Sequence, residues 1–235
     1  MAWKRTQAIA PIVIGVLGTA ILLMLGAWQT QRLAWKESLI AEIEQKISAE
    51  PVELPESPDQ TRDNLLRVKA VGILGTHELH VIHSIKLYGP GYRLIAPMQV
   101  GSRRIMVDLG FLPEAQKDEI PREGSSRWAD PAVEQIVTGL LAWPNEADGF
   151  TPEPDLGRNI WFARDVSEMS AALNTEPLLI VAESHADDQI VMPQPPGVNL
   201  PNRHLEYALT WFGLAFVWAA MSVFWLRSIL RQVKN

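Results

Sequence analysis

Two charge-free runs decide the fold of this chain: TQAIAPIVIGVLGTAILLMLGAWQTQ at residues 6–31 and YALTWFGLAFVWAAMSVFWL at residues 207–226. A bilayer core about 30 Å thick needs about 20 helical residues to cross it, so each run is long enough to span a membrane. The residues between the runs are numerous enough to form one domain with its own core. The sequence therefore predicts two transmembrane helices, one near each end, that flank a single domain outside the bilayer.

Lysine and arginine near the span ends predict the orientation, because these residues are enriched on the cytoplasmic side of a membrane. They precede the first run and follow the second, at Lys4, Arg5, Arg227, Arg231 and Lys234. We therefore expect a two-pass protein of the bacterial inner membrane, with both termini in the cytoplasm and the main domain in the periplasm. The expected segments are a tail at 1–7, a helix at 8–28, the domain at 29–206, a second helix at 207–227 and a tail at 228–235.

The composition of the chain excludes several classes of function. Between Leu33 and Arg203 there are 15 Lys and Arg against 26 Asp and Glu, and so acidic a domain disfavours nucleic acid as a partner. The chain has no cysteine, which excludes disulfides, thiolate metal sites and covalent haem attachment. No phosphate-binding glycine loop and no G-x-S-x-G turn occurs in the sequence, so we expect no enzyme.

The stretch between the spans has a mostly β pattern. A helix at Leu33–Ile47 extends the first span, and a second helix is expected after the capping residue Asp165. Short apolar stretches separated by turn residues predict strands. They lie at Leu66–Leu74, Glu78–Leu87, Tyr92–Val100, Arg103–Phe111, Val133–Leu141, Ile160–Ala163 and Leu178–Ala182. The expected fold is a mostly antiparallel α+β domain, either a barrel or a sandwich.

Two groups of histidines are candidate metal ligands. In the strand that contains them, His77 and His83 would share one face about 20 Å apart, with His80 on the opposite face. We therefore interpret these three as solvated side chains on a strand. His185, which stands beside two aspartates after a predicted strand, is most simply a polar turn.

Histidine and tryptophan residues repeat every seven positions in the second run, at His204, Trp211, Trp218 and Trp225. A straight helix drifts only about 20° per heptad, so these side chains share one face. Trp28 and Trp35 in the first run are also seven apart. The two helices could form an aromatic groove with an imidazole at its mouth, which suits a flat apolar cofactor such as haem. The alternative is that the tryptophans are ordinary interfacial residues and the histidine is hydrogen-bonded without a ligand.

Four stretches of the sequence resemble the surfeit locus family of cytochrome c oxidase assembly factors. LGAWQTQRLAWK at 25–36 and NRHLEYALTWF at 202–212 are similar to the family's two membrane-edge blocks. GYRLIAPM at 91–98 and VDLGFLP at 107–113 resemble weaker central motifs, although Leu109 stands where the family usually has arginine. The resemblance covers essentially the whole chain.

The resemblance implies a non-enzymatic assembly factor that binds haem a transiently and helps it reach subunit I of a haem–copper oxidase. Subunit I, haem a synthase and the lipid bilayer would then be its partners. His204 would be the haem ligand and the metal-binding residue, and either Arg32 or Arg203 could pair with haem propionates. The remaining groove residues would be Trp28, Arg32, Trp35, Tyr207 and Trp211.

Three other functions remain open from the sequence. The chain could be a scaffold that stabilises nascent subunit I without binding haem. An external sensor is disfavoured because the cytoplasmic tails are too short for an output domain. A haem-modifying enzyme is disfavoured because no acid, base or redox group stands out.

Overall fold

The computed structural model describes residues 9–119, 133–184, 191–194 and 202–234. The chain divides into two units, which we describe separately: Met1–Glu42 with Val198–Asn235, and Ile43–Gly197. The helices are α1 (Ile9–Ser48), α2 (Gln60–Asp63), α3 (Val166–Leu173) and α4 (His204–Lys234), and Glu114–Glu119 form a 3₁₀ helix. The strands are β1 (Val52–Glu53), β2 (Arg67–Leu74), β3 (Leu79–Ile85), β4 (Gly89–Val100), β5 (Arg103–Pro113), β6 (Gln135–Ala142), β7 (Ile160–Trp161) and β8 (Leu179–Ser184).

Two apolar helices, α1 and α4, make up the first unit, and both are long and apolar enough to cross a membrane. Small residues let the helices approach closely, as they do in membrane proteins generally. Gly15 lies against Ser222, and the ring of Phe212 lies over Gly26 so closely that a Cβ there would be 2.6 Å from it. The predicted pair of spanning helices is therefore present as a packed pair. The predicted limits of the bilayer-embedded segments stay predictions.

A closed barrel forms the centre of the second unit. Its strands follow the order β2–β6–β8–β5–β4, and β4 pairs again with β2 at Leu74 and Met98 to complete the ring. Four of these five pairings are antiparallel, and β5 and β8 run parallel. β1, β3 and β7 extend the sheet beyond the ring. The predicted mostly antiparallel α+β domain is confirmed, and of the two predicted architectures the structure shows the barrel.

Apolar side chains form two cores because successive residues of a strand point to opposite faces. The first core fills the barrel and includes Leu94, Leu109 and Ile180. The second lies between the outer face of the sheet and α3, where Met169 packs against the strands. The Asp165 side chain accepts a hydrogen bond from the backbone N–H of Glu168, which confirms its predicted role as a helix cap.

Most predicted elements occur within two or three residues of their predicted limits. α1 is continuous through Ser48, which confirms the helical extension of the first span. β1 and α2 were not predicted, because they are only two and four residues long. The predicted polar turn at His185 lies outside the described residues.

Candidate functional site

The end of the helix pair at which α4 begins brings a histidine and a glutamine together. Nδ1 of His204, at the start of α4, lies 2.7 Å from Oε1 of Gln29 on α1. Gln29 is only 8% exposed, although the next three residues of the helix, Thr30, Gln31 and Arg32, are polar and exposed. A polar group this well buried is retained where it has a hydrogen-bond partner. His204 therefore joins the two helices and is held in one orientation by Gln29.

The hydrogen bond determines which ring nitrogen is available to a ligand. An amide oxygen can only accept, so Nδ1 of His204 must carry the hydrogen and donate it to Gln29. In the neutral ring the lone pair is then on Nε2. A histidine that ligates a metal through one nitrogen usually donates the hydrogen of the other nitrogen to a fixed acceptor. The His204–Gln29 pair has this arrangement.

Two other predicted site residues lie beside His204 on α4. Trp211 is half-buried, and at 100° per residue it points about 35° away from the stripe that faces α1, which includes Ala208, Ala215 and Ser222. Tyr207 lies farther round the helix and is more than half exposed. The structure thus places the imidazole and one indole along the same edge of the helix contact. Tyr207 lies at the border of the α4 surface that the imidazole of His204 and the indole of Trp211 form.

The structure does not bring the two tryptophans of α1 beside His204. The side of α1 that contacts α4 is marked by Gly15, Gly18, Gly26 and Gln29, and Trp28 and Trp35 point about 120° and 140° away from it. Both tryptophans are more than half exposed. Arg32 stacks on Trp35, with its guanidinium carbon 4.5 Å from the ring centre. The predicted groove between the helices is therefore not formed by these three residues, and any haem contact they make stays a prediction.

Trp218, deeper in α4, packs on the partner helix. Its indole N–H donates to the backbone oxygen of Ile14, at 3.3 Å, and its ring lies directly over Gly18. This contact explains the small residue at position 18, because a Cβ there would be 2.3 Å from the indole nitrogen. Trp218 therefore has a structural role in helix pairing.

These residues fit a haem in their donor chemistry. Neutral imidazole is a common axial ligand of haem iron, and Nε2 of His204 has no hydrogen-bond partner among the described residues. Apolar and aromatic side chains near it, such as Trp211, suit the face of a macrocycle. Arg203 precedes His204 directly and is exposed. The arrangement can bind a metal-centred, flat, apolar molecule through one nitrogen.

A second polar cluster lies in the barrel domain and was not predicted. Asp108 is fully buried on β5, and its carboxylate accepts a hydrogen bond from Arg93 at 2.7 Å and from Arg164 at 3.4 Å. Arg164 also pairs with Glu146. Burial would raise the pKa of Glu146, but the hydrogen bond and charge of Arg164 outweigh it and lower that pKa. Two positive and two negative charges balance in this cluster, and Arg93 and Asp108 are buried, so we interpret the cluster as structural.

His83 lies close to this cluster and faces the ring of Phe111 at 6.1 Å. Its pKa is lowered, first by burial and then by the positive charges of Arg93 and Arg164. Nε2 of His80 donates a hydrogen bond to the carboxylate of Glu78, at 2.8 Å, and both side chains are largely buried. The interpretation of all three strand histidines as solvated is therefore wrong for His80 and holds only for His77, which is exposed.

Comparison with known proteins identifies relatives of the chain. The model of the SURF1 family matches residues 16–216. Surfeit locus protein 1 of Homo sapiens is 30% identical over 88% of this chain and 73% of its own length, and that of Mus musculus is 28% identical over 88% and 72%. A SURF1-like protein of Rickettsia felis is 27% identical over 89% of this chain and 94% of its own length. This chain therefore belongs to the SURF1 family, which is known as a family of cytochrome oxidase assembly factors.

Proposed function

We propose that this protein is a non-enzymatic oxidase assembly factor that binds haem a at the outer end of its helix pair and assists its delivery to subunit I. The observation that carries the proposal is the bond between Gln29 and His204, which leaves Nε2 of the ring for iron. Haem is the cargo here, so the protein must hold it firmly enough to protect it and release it to a stronger site.

Each residue of the site has a specific task in this proposal. Gln29 fixes the orientation and tautomer of the His204 ring, and Nε2 of His204 ligates the iron. Trp211 covers one face of the macrocycle beside the helix contact, and Tyr207 borders the same surface. Arg203 lies next to the ligand in the chain and is the cation best placed by sequence to meet a propionate.

The partners in this proposal follow from the cargo. Haem a synthase would supply the haem and oxidase subunit I would receive it, both within the lipid bilayer that the two helices cross. The proposed site is periplasmic, in a two-pass protein of a bacterial inner membrane whose tails are cytoplasmic. The arginine and lysine residues beyond the helix ends support this orientation.

The proposal is tested by replacing His204 in cells that depend on this protein for an oxidase that contains haem a. His204→Ala should reduce the haem a content of purified subunit I, while the amount of the assembly factor in the membrane stays unchanged. His77→Ala, which alters an exposed histidine of the barrel domain, is the matched control and should leave haem content at the wild-type level. Full haem content with His204→Ala would reject haem delivery through this residue.

A haem-independent scaffold for nascent subunit I is the second candidate, and one observation favours it. Trp28 and Trp35 present a large apolar surface on the side of α1 that faces away from α4. Beside Trp28 is a shallow depression of about 390 Å³ that is formed by α1 alone. Another membrane helix could pack there. The double variant Trp28→Ala, Trp35→Ala should then reduce the recovery of subunit I with this protein and leave haem binding unchanged.

A further inference from the structure

The turn between β3 and β4 exposes apolar side chains that no described residue of the barrel domain covers. Lys86, Leu87 and Tyr88 are all exposed, and the turn is closed by a hydrogen bond from the N–H of Tyr88 to the carbonyl of Ile85, at 3.0 Å. Leu87 is 80% exposed, which matches the 77% of Phe216 on the apolar helix α4. Leu87 is thus as accessible as a side chain that is expected to face lipid.

The composition of this turn suits the boundary between lipid and water. Leucine inserts among acyl chains, tyrosine is enriched at the headgroup level, and lysine extends its charge toward water and anionic headgroups. The turn is also rigid, because Gly89 holds a φ of +76° and its carbonyl accepts a hydrogen bond from the Ser84 hydroxyl at 3.2 Å. Insertion would therefore cost little conformational entropy.

A short stretch of chain connects the part of the domain that carries the turn to α4. The ring of Tyr88 lies 6.5 Å from that of Phe111, and Phe111 pairs with Met192 through two backbone hydrogen bonds of 2.7 and 2.9 Å. Arg93 fixes the next part of this segment by donating to the carbonyl of Gln194, at 3.1 Å. Only residues 195–201 then separate this segment from Asn202 and the beginning of α4. An extended stretch of seven residues spans at most about 25 Å.

We propose that the Lys86–Tyr88 turn is a second membrane contact, at which Leu87 and Tyr88 insert into the interfacial region of the outer leaflet. The covalent tether to α4 keeps the turn at a high effective concentration near the bilayer, so even a small apolar surface is enough for a persistent contact. This inference rests on the two spanning helices and is independent of haem binding.

The absence of cysteine from the chain makes a depth measurement straightforward. Leu87→Cys and Tyr88→Cys variants of the full chain would carry an environment-sensitive fluorophore and be placed in phosphatidylcholine vesicles with a nitroxide near the headgroups. Phe216→Cys is the lipid-facing reference. Phe150→Cys is the matched control, because Phe150 is 96% exposed in the same domain but stands in an acidic turn beside Asp148.

The proposal predicts quenching at positions 87 and 88 that is at least as strong as the value at 216, which lies about 18 Å along α4 from His204, and that exceeds the value at 150 several-fold. Adding phosphatidylglycerol should increase the quenching, and Lys86→Glu should remove that increase without removing the contact in phosphatidylcholine alone. Quenching at both turn positions that is no greater than at 150 would overturn the proposal. A change in the fluorophore's environment that appears only after subunit I is added would also overturn the proposal, since the turn would then contact protein.

Discussion

Replacing Gln29 tests how His204 is prepared for a ligand. Gln29→Met keeps the length of the side chain but removes the acceptor that lies 2.7 Å from Nδ1 of His204. The ring then loses the bond that selects its tautomer and orientation. Loss of such a supporting bond typically lowers metal affinity about 10- to 100-fold, which corresponds to about 1.4 to 2.8 kcal/mol. We expect haem a to bind Gln29→Met more weakly by this factor.

The assay is a titration of ferric haem a into the full chain in detergent, followed by its visible absorption. Gln31→Met is the matched control: it makes the same change two residues along α1, at an exposed position, and should not change the affinity. Gln29→Glu retains an acceptor and should bind haem nearly as well as the wild type. Equal affinities for Gln29→Met and Gln31→Met, in a protein that loses haem with His204→Ala, would refute the role of Gln29.

Three further predictions concern stability and helix packing. Asp108→Ala leaves the buried guanidinium of Arg93 unpaired and should lower the free energy of unfolding by about 3 to 5 kcal/mol, measured by urea-dependent pulse proteolysis; adding Arg93→Met should restore part of it. Gly26→Leu should weaken the pairing of α1 and α4, measured by energy transfer between labels on the helices, whereas Gly213→Leu, which has open space around it, should not. Because the folded protein lowers the pKa of His83 below 6.5, the unfolded chain binds the proton more tightly, so stability should be lost as pH falls from about 7 to 5; His83→Gln should flatten that loss.

Periodicity was sufficient to predict the elements of this fold, because the apolar patterns were long and strong. The two charge-free runs predict α1 and α4, and alternation predicts the hairpin of β4 and β5. It could not predict the closure of the barrel, which depends on a few long-range pairs such as Leu74 with Met98. Nor could it predict that Leu109 is the additional residue of a β-bulge and lies in the barrel core.

The candidate site was only partly predictable, for a physical reason. A heptad count places side chains on one helix but does not say which side of that helix meets its neighbour. The small residues of α1 contained that information: Gly15, Gly18 and Gly26 mark the side that contacts α4, and Trp28 is outside it. Gln29 was missed because Thr30 and Gln31 beside it are equally polar in the sequence, and only the contact with α4 shows which of them is buried.

Asp108 was missed because a single acidic residue in a strand forms no sequence motif that would predict a buried charge cluster. Its partners Arg93, Arg164 and Glu146 come from three distant parts of the chain. Only the closed sheet brings them together. A buried network of this kind follows from tertiary structure and leaves no local motif.

The central claim is that His204 of this protein binds haem a, and the visible absorption spectrum tests it most directly. The protein would be purified from cells that make haem a, as wild type and as His204→Ala. The wild type should carry haem with a spectrum that is lost or clearly altered in the variant. A colourless wild type, or an identical spectrum and haem stoichiometry in both proteins, would contradict the claim.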